Sequence, residues 1–184
     1  MDQATVVTEA IPKEITGKID ELNREAWEIH IMQPDKGLEL SSEAKRLSEK
    51  YTYKEGLAYA TRNMGVSHRY LSNLEKAITL SYSALEMFQK IEDKNAEAQA
   101  YVSIGAIYFY MGDYDRSGEF FLKGLRFSEE SGNKDALAYA YNGAGYNYGV
   151  VFGDYKKGLE FLKKALTLSK EAGAPKDLEP RVLD

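Results

Sequence analysis

A forty-residue period constrains this chain more than any other feature. Between Asn95 and Lys134, the landmarks Ile104-Gly105, Tyr108, Gly112-Asp113-Tyr114, Phe121 and Gly124-Leu125 outline one helix–turn–helix unit. Forty residues upstream, Gly105 becomes Gly65 and Gly124 becomes Ala84; forty downstream, Gly105 becomes Gly145, and Gly124 falls one residue short of Ala165. Ala44 lies a further forty residues before Ala84. Self-similarity at a fixed period of this length marks stacked supersecondary units, none of which buries its apolar face alone. The expected fold is all-α: a right-handed superhelical array of antiparallel helix pairs, an α-solenoid. Its domain runs over 14–175, with repeats at about 14–52, 54–92, 95–132 and 135–173.

The units follow from apolar spacing and turn chemistry. Residues 1–13 show no sustained period and read as a flexible lead-in. From Glu14, the series Ile15, Ile19, Leu22, Ala26 and Ile29 alternates steps of four and three, giving an amphipathic helix that ends before Pro34. Its partner reaches Tyr51 and buries Leu38, Leu40, Ala44 and Leu47. Later pairs run over 54–70 with 72–91, 96–111 with 114–131, and 136–152 with 155–172. Ser72-Asn73 supplies a turn and an N-cap, while Gly112-Asp113 and Gly153-Asp154 make one shared type of tight turn. Asp93-Lys94-Asn95 and Asn133-Lys134-Asp135 end one helix and cap the next, helped by Gly132. Gly105 to Gly112 spans seven residues but Gly145 to Gly153 spans eight. The extra residue within Tyr146–Phe152 predicts a longer loop in preference to a π-bulge beside Gly149. Residues 176–184 read as the start of a capping helix or a linker to a further region, with Asp177 as cap and Pro180 in the first turn.

Charge and composition remove whole function classes. A formal net charge of −5 argues against a nucleic-acid partner, which needs a basic face to displace counterions. No apolar run reaches bilayer length and Met1-Asp2-Gln3 lacks the start of a signal peptide, so no membrane partner and a cytoplasmic location are expected. With no cysteine, disulfides and thiolate metal sites are excluded. His30 and His68 stand on different units without paired ligand spacing, so neither a metal nor a cofactor is expected. Gly143-Ala144-Gly145 with Gly149 imitates part of a dinucleotide fingerprint, yet no strand precedes it, and close helix packing accounts for it better. Glu129-Glu130 and Glu92-Asp93 fall at helix ends, where solvated charges outnumber catalytic dyads, and no catalytic residues are assigned.

The small residues and the Gly-Asp-Tyr turn together resemble the tetratricopeptide repeat. The positions that carry the resemblance are Gly65, Ala77 and Ala84; Gly105, Ser117 and Gly124; and, displaced by one, Gly145, Gly158 and Ala165. Small side chains there let the two helices of a unit approach closely. The aromatic-type position three after the first glycine is His68, Tyr108 and Tyr148, and Phe121 and Phe161 fill the large apolar position of the second helix. A period of forty instead of the usual thirty-four, and the missing closing proline, imply helices longer by about a turn. Such long-helix modules are similar to those of bacterial peptide-pheromone receptors, polarity adaptors, and the regions preceding cyclase or kinase domains in signalling proteins.

The resemblance implies that the first helices of the units line a concave groove. Its groove-facing positions are Tyr59, Arg62, Val66, Arg69 and Tyr70 in the second unit. In the third they are Gln99, Val102, Ala106, Phe109 and Tyr110, and in the fourth Tyr139, Asn142, Tyr146, Gly149 and Val150. Asn23 and Trp27 take the corresponding places in the degenerate first unit. Similar modules hold peptides with groove asparagines and basic residues, here matched by Asn23, Arg62 and Asn142. The expected function is a non-catalytic protein- or peptide-binding scaffold, regulatory in signal transduction. Two alternatives stay open at this point: the tyrosines bridge adjacent repeats, or a capping segment fills the groove. A competing function is homo-oligomerisation through an uncapped C-terminal end carrying Leu178, Val182 and Leu183, or service as the N-terminal regulatory part of a larger cyclase- or kinase-type protein.

Overall fold

The structure is a computed structural model that describes residues 11–172. Helices α1 (Lys13–Ile29), α2 (Pro34–Tyr51), α3 (Lys54–Tyr70), α4 (Leu74–Lys90), α5 (Lys94–Met111), α6 (Tyr114–Ser131), α7 (Lys134–Tyr146) and α8 (Tyr155–Ala172) form four antiparallel pairs. Between α7 and α8 lies a π-helix, Asn147–Val151. Each helix packs on the next in sequence, and α1, α3, α5 and α7 also touch in succession. No pair among α2, α4, α6 and α8 is in comparable contact, so the first helices form the tighter, inner layer. Residues 1–10 of the expected lead-in and the C-terminal residues Asp177, Leu178, Pro180, Val182 and Leu183 lie outside the described residues, while Lys13, expected to close the lead-in, instead opens α1.

The inner helices are alanine-rich because they are enclosed on both sides. Ala58, Ala60, Ala96, Ala98, Ala100, Ala136, Ala138 and Ala140 are all at most 2% exposed. A step of two puts neighbours on opposite sides of a helix, so burial at every second residue means contact with the helix before and the helix after. Larger groups fill the gaps between layers: Phe88, Ile104, Tyr108 and Phe120 around α3–α6, and Val102, Phe121 and Leu125 against Ala140 and Ala144.

Glycine marks the closest approaches. A Cβ added at Gly158 would stand 2.7 Å from the Gly149 Cα, and one at Gly143 would stand 2.2 Å from the Phe121 ring. The Gly143-Ala144-Gly145 run is therefore a packing device, as its lack of a preceding strand suggested.

Turn geometry is more regular than turn sequence. Thr52, Glu92 and Gly132 end units with φ of 57°, 59° and 70°, while Ser72, Gly112 and Gly153 turn within units with φ of 60°, 79° and 72°. The same left-handed residue thus recurs at the period, filled by glycine only in the later units. Asp93, Asp113 and Asn133 cap α5, α6 and α7 by accepting from the amides of Ala96, Arg116 and Ala136. Asn73 occupies the N-cap of α4 without a side-chain bond, which corrects the capping role expected for it.

The loop expected within Tyr146–Phe152 is also corrected. The extra residue is absorbed by widening the helix: the Phe152 amide donates to the Asn147 carbonyl at 3.1 Å, five residues back. Asn147 is fully buried and its Nδ2 donates to the Tyr114 carbonyl at 3.3 Å, which ties the widened turn to the start of α6.

Candidate functional site

The residues assigned to a groove divide into a braced set and an open set. The braced set centres on Arg62, which is 7% exposed. Its Nη1 donates to Gln99 Oε1 at 2.6 Å, and its Nε and Nη2 donate to Asn63 Oδ1 at 3.1 and 3.0 Å. The guanidinium carbon lies 4.1 Å from the Trp27 ring centroid and 4.9 Å from that of Tyr59. Burial pulls the pKa of this guanidinium down to about 10. The network continues through Asn63 Nδ2, which donates to the Asn23 carbonyl at 2.8 Å, and Asn23 Nδ2, which donates to the Gly56 carbonyl at 3.0 Å. Tyr59 donates to Asp93 Oδ2 at 2.6 Å, and Asp93 also caps α5. Asn23, Trp27, Tyr59, Arg62 and Gln99 therefore tie α1 to α3 and α3 to α5.

Asn63 and Asp93 are the members that the sequence reading left out. A signal existed for Asn63, since it stands forty residues after Asn23. Asp93 could be read only as a cap, because its second role needs Tyr59 from another unit.

The open set lies at the carboxyl ends of α3 and α5 and along α7. The Arg69 guanidinium stacks 4.4 Å from the Tyr70 centroid on its own helix and 5.8 Å from the Tyr110 centroid on α5. Tyr70 is 38% and Tyr110 63% exposed. Among the described residues no carboxylate comes within ion-pair distance of Arg69, and its buried Nε donates to nothing. The Tyr70 ring also meets His30, which in turn stacks on Trp27, so the aromatic surface runs back to α1. On α7, Tyr139 is 37% exposed, Tyr146 is half-buried, and the half-buried Asn142 holds a buried Oδ1 that accepts no hydrogen bond. Val66, Val102 and Gly149, assigned groove-facing positions by the resemblance, are buried in the packing instead.

Residues 96–171, which cover α5 to α8, match the family model described as tetratricopeptide repeat. Residues 96–171 carry tetratricopeptide repeats. Its fold is similar to a Rap protein crystallised in complex with competence and sporulation factor, at a TM-score of 0.77 and 23% identity, covering 88% of this chain and 45% of that one. It is similar also to aspartyl phosphate phosphatase F from Bacillus subtilis, at a TM-score of 0.74 and 18% identity over 89% of this chain and 43% of that one. A third likeness is to the nearly identical TPR-like repeats of a putative kinesin light chain from Podosopora anserina, at a TM-score of 0.62 and 10% identity, covering 83% and 75%. At these identities the likeness is one of fold, and the chain spans less than half the length of the Rap protein. No curated protein matches the chain in sequence.

The inner helices present hydrogen-bonding and aromatic surface. Among the described residues no group of three His, Asp or Glu side chains could hold a metal ion, and no helix is long and apolar enough to cross a membrane. The half-buried His68 is held below its ordinary titration range, first by burial and then by the positive charge of Lys76.

Proposed function

We propose that the chain is a non-catalytic module that binds a peptide or protein segment, serving a regulatory role in signal transduction. The ligand lies on the inner helix layer at Arg69, Tyr70, Tyr110, Tyr139, Asn142 and Tyr146. The observation that carries this reading is the Arg69 guanidinium, held between two partly exposed tyrosine rings with no carboxylate opposite it among the described residues. A cation pre-positioned on aromatic rings selects an anionic group, and the rings bring area with little loss of side-chain freedom. The fold shared with a Rap protein crystallised with competence and sporulation factor supports a peptide as ligand class. Arg62 and Asn23 belong to the brace and act on the ligand only by holding the layer in shape.

The test is an array of extended peptides bearing a side-chain or terminal carboxylate, each beside its amide counterpart, read with the intact chain and with R69A/Y110A. The expected result is selection of the carboxylate peptides by the intact chain and a loss of about tenfold or more in the variant. Equal retention by a variant that circular dichroism shows to be folded would overturn the reading.

A second reading is self-association, favoured by Tyr155 and Leu159 on α8, which are 76% and 54% exposed. Sedimentation equilibrium decides it: a mass that rises with concentration supports it, and a constant monomer mass removes it.

A further inference from the structure

The inserted residue of the last unit is accompanied by a cavity of about 210 Å³ between α6 and the π-helix. Small-molecule and cofactor pockets run to about 300–1,000 Å³, so this volume suits a single side chain. From α6 come Asp115, Glu119 and Leu122, spaced so that they share one face of that helix. Opposite them stand Asn147, Tyr148 and Phe152. Gly118 keeps the space open, since a Cβ there would stand 3.3 Å from Asn147 Nδ2.

The carboxylate and amide oxygens left over in this notch are acceptors. Asp115 takes part in no ion pair among the described residues, while Glu119 holds Lys123 at 2.6 Å through one oxygen. Asn147 is fully buried, with its Nδ2 given to the Tyr114 carbonyl at 3.3 Å, and its Oδ1 receives no donor. An acceptor buried without a donor is costly, and two carboxylates beside it add negative charge. The complementary occupant carries several donors and a positive charge. The other wall is apolar and aromatic: Phe152 is 52% exposed, and its ring meets that of Tyr148 at a centroid distance of 6.1 Å. Lys157 already places its ammonium 3.8 Å from the Tyr148 centroid, so that ring accommodates a cation.

We propose that this notch receives an arginine side chain of a partner segment, with its guanidinium on the Asp115 and Glu119 carboxylates and its flat face and stem against Phe152 and Leu122. Arginine fits better than lysine because its planar fork can reach more than one acceptor while stacking on a ring. The site shares no residue with the Arg69–Tyr110 surface, so either can stand without the other.

The experiment titrates the intact, isotope-labelled chain with the peptide acetyl-Ala-Leu-Arg-Leu-Ala-amide and with its citrulline counterpart, which keeps the shape and removes the charge. Backbone and side-chain amide shifts at Gly118, Asn147 and Phe152 are the readout. The arginine peptide is expected to move these signals to saturation at least about tenfold more tightly than the citrulline peptide. In D115N/E119Q, whose amides preserve volume, that preference disappears. Equal binding of the two peptides, an undiminished preference in the variant, or shifts confined to other residues would each overturn the proposal. Both substituted side chains are exposed, so the variant is expected to fold, and its amide spectrum in the absence of peptide provides the control.

Discussion

The Arg62 guanidinium lies 4.1 Å from the ring centroid of Trp27, across the contact between α3 and α1. On its other side it reaches Gln99 on α5. One cation therefore spans three inner helices without a carboxylate partner among the described residues. Arg62→Ala would leave the oxygens of Gln99 and Asn63 without their donor and open a gap beside Trp27, at a cost of about 2–3 kcal/mol. Arg62→Met fills the gap and removes the desolvation of a buried charge, so its cost is smaller, about 1 kcal/mol. Urea unfolding followed by fluorescence checks both, since Trp27 is the chain's one tryptophan. An alanine variant as stable as the original would mean that Arg62 is not a brace.

Gly143 and Gly158 test two kinds of crowding. A Cβ at Gly143 would meet the Phe121 ring at 2.2 Å, whereas one at Gly158 would meet the Gly149 backbone at 2.7 Å. Both alanine variants are expected to lose about 1–3 kcal/mol. Phe121→Leu should partly rescue Gly143→Ala, because a smaller side chain vacates the contested space. No single side-chain change should rescue Gly158→Ala, where backbone opposes backbone. Thermal unfolding of the single and double variants gives the answer.

The left-handed positions offer stabilising changes. Thr52, Ser72 and Glu92 hold φ near +60°, where a Cβ is strained by roughly 1–2 kcal/mol. Replacement by glycine relieves that strain but gives up some unfolded-state restriction, for a net gain of about 0.5–1 kcal/mol at each. The same change at Asp93 should destabilise, because its side chain caps α5 and holds Tyr59. Denaturation midpoints that fall for Ser72→Gly would contradict the first expectation.

At N-caps, sequence type and actual bonding diverge. Asn133→Ala removes a bond to the Ala136 amide and should cost about 1 kcal/mol, whereas Asn73→Ala removes no such bond and should change little. Paired melting curves of the two variants separate these outcomes.

Alkaline pH should erode the contribution of Tyr59 to the brace. Burial first, and then the hydrogen bond to Asp93, push the Tyr59 phenol up to about 12 from an ordinary 10.0. A phenol harder to ionise when folded contributes stability that is complete below pH 10 and is lost as pH rises to about 12. Burial and the Asp20 carboxylate raise Tyr53 to about 12 as well, so removing one phenol shallows the slope without abolishing it. Urea midpoints between pH 9 and 12 should fall less steeply for Tyr59→Phe than for the original chain. Parallel slopes would contradict the assignment.

Much of the helix pattern was legible because it depends on near neighbours. Apolar spacing placed the four pairs, and Gly132 and Asn133 marked an end and a start that the structure repeats. The extra residue near Gly149 was also visible as an eight-residue interval, but its outcome was not. A loop and a π-turn have the same length in sequence; Asn147, anchored on the Tyr114 carbonyl 33 residues away, keeps the widened turn helical. Asn73 shows the converse, a residue of the right type at a cap whose side chain makes no cap bond.

The sequence by itself determined that small residues recur every forty positions and that helices must therefore pack closely in pairs, since repetition of local spacing dictates repetition of local structure. Only the tertiary structure decided what the two inner-layer arginines do. Arg62 and Arg69 lie seven residues apart on one helix, and nothing local distinguishes them. Arg62 stacks on Trp27 from the preceding unit, donates to Gln99 from the following one, and gives two further bonds to Asn63. Arg69 stacks on the rings of Tyr70 and Tyr110 and, among the described residues, has no carboxylate opposite it.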